Sequence, residues 1–121
     1  MAVLFRFFLV LASFGGITLY PAAARAETGE VQTVWRLLDY VAVDYAGAVS
    51  NGRVTSTAEY AEMTEFSATI RSGVAGLPEN PERARLIAEA HGLETAIASR
   101  AAPDVVAQKA RSLASDLLAA Y

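Results

Sequence analysis

Four stretches of this chain repeat apolar residues at helical spacing, and each is bounded by residues that a helix does not carry through. At about 100° per residue, Val31, Val34, Trp35, Leu38, Val41, Ala42, Tyr45 and Val49 share one broad face of a helix over about residues 30–50. Asn51-Gly52 closes it, since both residues tolerate a left-handed conformation. The second helix covers about residues 57–76. Ser56 with Glu59 three residues on fits a capping box. Its face is Tyr60, Met63, Phe66, Ile70, Val74 and Leu77, and Gly73, Gly76 and Pro78 fray and end it. Asn80-Pro81-Glu82 opens the third, with an N-cap, a proline at the first helical position and an acid at the positive helix end. Leu86, Ala90, Leu93 and Ile97 form its stripe. Gly92 weakens the middle, by about 1 kcal/mol relative to alanine. Pro103-Asp104 opens the fourth, and Val106, Ala110, Leu113, Leu117 and Tyr121 stay in phase to the last residue. That helix carries no C-terminal cap, so it reads as a junction with a following segment. The connections are short, so neighbouring helices run antiparallel. The expected fold is all-α, an up-down four-helix bundle, with no strand.

The segment before the bundle has a different character. Arg6 precedes the apolar run Phe7–Tyr20, Pro21 breaks it, and Ala24-Arg25-Ala26 offers a cleavage site. This is the layout of a secretory signal peptide, and the run falls short of the roughly 20 residues of a membrane span. Residues 1–26 are therefore expected to be removed, leaving 27–121 as the helical domain. Losing Arg6 and Arg25 takes the net charge from −3 to −5. A mildly acidic domain lacks the basic face that nucleic acid needs. There is no cysteine, which excludes disulfides, covalent haem through CxxCH, a thiol nucleophile and a cysteine zinc site.

The densest mixture of acids and aromatics lies between Leu37 and Phe66. Asp39 and Asp44 point about 140° apart on one helix and cannot chelate a common ion. Glu59, Glu62 and Glu65 recur every third residue, so neighbours can meet. If the first two helices pair across the Asn51 turn, Glu62 comes level with Asp44. Asp44, Glu59 and Glu62 are then candidate oxygen ligands for a hard cation, set against the simpler reading of a cap and solvated flanks. Leu37, Tyr40 and Asp44 form a second strip away from the core face, a candidate docking surface. His91 is the sole histidine, with Glu94 three residues on. A di-iron bundle needs such a pair on two helices plus further glutamates, so that centre is not expected and His91 reads as a surface or boundary residue. No GxSxG, GxxxxGK[ST] or GxGxxG pattern occurs, and no catalytic residues are assigned. The domain reads as non-enzymatic.

The runs WRLLDYVAVDYAGAVSNGRV (35–54) and EYAEMTEF (59–66) resemble the extracytoplasmic N-terminal region of bacterial high-affinity iron permeases of the oxidase-dependent iron transporter type. In that family a signal peptide precedes a helical domain of about this size, often followed by a c-type cytochrome segment and a multi-span permease. The permease hallmark, paired Arg-Glu-x-x-Glu motifs, is absent, and so is CxxCH. The resemblance therefore implies the leader domain alone. It implies a periplasmic, membrane-associated accessory part of iron uptake, with an inner-membrane iron permease or cytochrome module as partner and iron ion as the one candidate ligand. The alternative is a generic periplasmic interaction module with no metal role.

Overall fold

The computed structural model describes residues 22–121, with side chains from residue 29 onward. Of the expected leader, residues 1–21 lie outside the described residues. Helix α1 spans Ala22–Asp44, α2 Thr57–Ala75, α3 Arg83–Ala98 and α4 Pro103–Ala120. Each helix packs on its neighbour in sequence, and α1 closes the ring against α4. This is the up-down four-helix bundle that the four stripes predict.

The core lies where the periodicity puts it, except that Trp35 and Tyr121, expected on the buried faces, stand at the surface. Val34, Leu38, Val41 and Tyr45 bury from α1 and its continuation, and Met63, Ile70 and Val74 from α2. Leu86, Leu93 and Ile97 face them from α3, and Val106, Leu113 and Leu117 from α4. Spacings of three, four and seven residues give each helix one buried stripe, and together the stripes supply the apolar burial that drives association.

The first connection differs from the helix expected up to Ser50. The α-helix stops at Asp44, a 3-10 turn follows over Tyr45–Gly47, and a two-residue hairpin pairs β1 (Val49–Ser50) with β2 (Arg53–Val54). The short pair of strands corrects the strand-free expectation. Asn51 and Gly52 have φ of 51° and 71°, the two left-handed positions of a tight hairpin turn. Ala48 O accepts from Thr55 N at 2.9 Å, so the backbone here satisfies itself across the hairpin rather than along a helix.

Two further differences have local causes. Gly73 lies buried inside α2 and does not fray it. A Cβ there would stand 2.6 Å from Val34 Cγ2 and 2.8 Å from Glu30 Oε1, so the missing side chain is what lets α1 and α2 approach. The end of α4 is also not free. Asn80 Nδ2 donates to Ala120 O at 2.7 Å, and Tyr121 Oη donates to Pro78 O at 2.6 Å. Asn80 of the α2–α3 connection thus satisfies one of the end carbonyls of α4.

Candidate docking face on α1 and α2

Helix α1 presents three longitudinal strips. One is the core stripe. A second faces α2 and carries Leu37, Tyr40 and Asp44. A third faces α4 and carries Trp35 and Ala42. On the α2 side, Leu37 is half-buried against the core. Tyr40 remains 52% exposed, and its ring lies 6.1 Å from that of Phe66 at a tilt of 33°, a favourable separation for an aromatic pair. Phe66 is itself partly buried. The Tyr40 ring is therefore held on the bundle from one side and open to solvent on the other. The Tyr40–Phe66 pair ties α1 to α2 along this strip.

The acids of this face are solvated. Asp44, Glu59 and Glu62 are all exposed. Glu59 also helps to start its helix, because its backbone N–H donates to Ser56 Oγ at 3.2 Å, one half of the expected capping box. Its Oε2 lies where a Cβ on Gly47 would stand, so the side chain folds over the 3-10 turn. Among the described residues no three His, Asp or Glu side chains converge closely enough to hold a metal ion. His91 is exposed, and Glu94 is engaged instead by Arg71 Nε at 3.0 Å.

Two tyrosines of the same region turn inward. Tyr45 is buried and donates to Ala101 O at 2.7 Å. Tyr60 donates to Ile97 O at 2.8 Å. Together they fasten the α1–α2 connection to the α3–α4 turn, far away in sequence. Burial, and then the nearby Tyr60, push the Tyr45 hydroxyl pKa up. No local pattern marks these bonds, because their acceptors are backbone carbonyls of a distant turn.

A charged cluster joins α3 to α4. Arg85 Nη1 contacts Glu89 Oε1 at 3.3 Å and Asp116 Oδ2 at 3.1 Å, and Arg85 Nε contacts Glu82 Oε2 at 2.7 Å. Glu89 Oε2 is buried and receives no donor. The neighbouring Asp116 carboxylate is also an acceptor, so the two can bond only when one holds a proton. Burial first, and then Asp116, raise the Glu89 pKa. The i, i+3 and i, i+4 spacing of Arg85 with Glu82 and Glu89 is a local signal that sequence reasoning passes over, whereas Asp116 arrives only through tertiary packing.

Residues 21–121 match the iron permease-associated 4-helix bundle domain. The chain belongs to that family. The match covers the whole bundle, including α1 from its first turn, and agrees with the resemblance carried by residues 35–66. Family membership associates the domain with iron permeases, and so with a membrane-related setting. No helix among the described residues is long and apolar enough to cross a membrane. No curated protein and no solved structure matches the chain.

Proposed function

We propose that this family member is an accessory, non-enzymatic domain on the periplasmic side of the inner membrane, which docks to an iron permease or its cytochrome module through the α1–α2 face. The observation that carries the reading is the half-exposed Tyr40 ring, fixed against Phe66 beside Leu37 and Asp44. A rigid aromatic with one solvent-facing side loses little entropy on binding, and such residues dominate interface energetics. Asp44 adds a charged rim to it.

The same face offers iron the exposed carboxylates Asp44, Glu59 and Glu62. They are spread along two helices, so any iron role is a local concentration of the ion and not a closed coordination sphere.

The docking role is tested with the full chain, expressed with its own leader alongside a tagged iron permease. Tyr40→Ala and Leu37→Ser abolish co-purification while helical circular dichroism is kept. Undiminished co-purification of both variants removes the role. Iron titration followed by calorimetry tests the ion: binding heat that falls in Asp44→Ala and Glu62→Ala supports it, and heat undiminished in both variants, or none in the wild type, sinks it.

A further inference from the structure

The opposite flank of α1 carries a second surface, which the docking role leaves unused. Trp35 is the only tryptophan of the chain and is 39% exposed, and Leu118 on α4 is 55% exposed. Both border a groove of about 350 Å³ between α1 and α4, and the groove continues past Ala42 and Ala110. Bulk therefore stands at one end and small side chains at the other. Asp39 projects from the α1 wall and Arg111 from the α4 wall. Among the described residues, neither takes part in an ion pair or a side-chain hydrogen bond.

An apolar centre with an aromatic anchor and a charged rim is the anatomy of a protein interface. The occupant follows from the symmetry of these features. A two-fold interface must be self-complementary, since each residue on one copy meets its counterpart on the other. This groove holds a knob and a hollow on one face, and one carboxylate with one guanidinium. The chain as a whole is acidic, and α2 exposes Glu59, Glu62 and Glu65, which repel a second copy and favour a basic partner. The α1–α4 face is neutral in sum, so a second copy can approach it without that repulsion. We infer that the α1–α4 groove is the interface of a two-fold homodimer, in which Trp35 of each copy fills the alanine hollow of the other and Asp39 pairs with the partner's Arg111. Tyr40 lies about 140° around α1 from Trp35, so a dimer leaves the α1–α2 face free.

Sedimentation velocity over a concentration series tests this on the full chain, expressed with its own leader and purified as it accumulates in the cell. The wild type sediments as a reversible dimer. Trp35→Ser and Leu118→Ser, both at solvent-exposed positions, shift it to monomer. Asp39→Arg and Arg111→Asp each weaken the dimer by about tenfold or more through like-charge contact, and the Asp39→Arg/Arg111→Asp double variant recovers it. A monomer at every concentration overturns the inference. So does a dimer indifferent to the Trp35 and Leu118 changes, or a double variant no tighter than the single ones. A monomer throughout leaves the groove to a different protein, and an unrescued double variant denies the Asp39–Arg111 pairing.

Discussion

Gly73 and Gly92 both lie inside helices, yet alanine at the two positions should change stability in opposite directions. At Gly92 of α3 a Cβ meets nothing within 4 Å. The substitution therefore gains helix propensity alone, about 1 kcal/mol, and raises Tm by roughly 4–8 °C for a domain of this size. At Gly73 of α2 the same gain is smaller, because the residue lies in the last turn of its helix. Against it stand contacts of 2.6 Å to Val34 Cγ2 and 2.8 Å to Glu30 Oε1. Glu30 is a flexible surface chain and can swing away. Val34 is 1% exposed and stiff about χ1, so α1 and α2 must separate. Forcing an extra methyl into packed contact costs about 1–3 kcal/mol, which outweighs the propensity gain at all but the bottom of that range. Thermal melts by circular dichroism of the two variants and the wild type decide the matter. Gly92→Ala should melt above the wild type and Gly73→Ala below it. Equal shifts of the same sign would refute the claim that Gly73 sets the α1–α2 distance.

Three further outcomes follow from the same geometry. Arg100 holds φ 57° in the turn after α3, where glycine is the residue without strain, so Arg100→Gly should stabilise by about 1 kcal/mol in chemical denaturation. Tyr45→Phe deletes the buried donor to Ala101 O and should cost about 1–3 kcal/mol through the orphaned carbonyl, whereas a loss below a few tenths would show that the bond is idle. The raised Glu89 pKa means that the folded state holds this proton more tightly than the unfolded chain. Its contribution is complete below the ordinary glutamate range and is lost as pH rises through the raised value. Glu89→Gln cannot lose a proton, so the stability difference between wild type and variant should change across that window, and parallel pH profiles would contradict the shared proton.

The bundle itself is legible because burial follows a 3.6-residue period, and the buried stripe of each helix is the one its spacing marks. The connections are less so. Asn51-Gly52 serves equally as a helix stop and as a hairpin turn, and what selects the hairpin is the bond from Thr55 N to Ala48 O, a contact that the local sequence does not encode. Gly73 reads as a weak point because composition registers only the lost propensity, and the neighbour that needs the space lies on another helix. The aromatic content between Leu37 and Phe66 is visible, but not its division. Tyr45 and Tyr60 look like Tyr40 in sequence, and only their distant carbonyl acceptors make them structural while Tyr40 stays half-exposed. The helical period groups Trp35 with the core because it borders the stripe; it stands instead at the mouth of the α1–α4 groove.

Contact between the Tyr40 face and an iron permease partner is tested most directly by a photo-crosslinking amino acid placed at Tyr40 of the full chain. The cells co-express the permease, and the same group at exposed Ser112 on α4 is the control. Docking through this face predicts an ultraviolet-dependent adduct containing the permease or its cytochrome module from position 40 and none from position 112. Adducts of equal yield from both positions, or none from position 40, would contradict it.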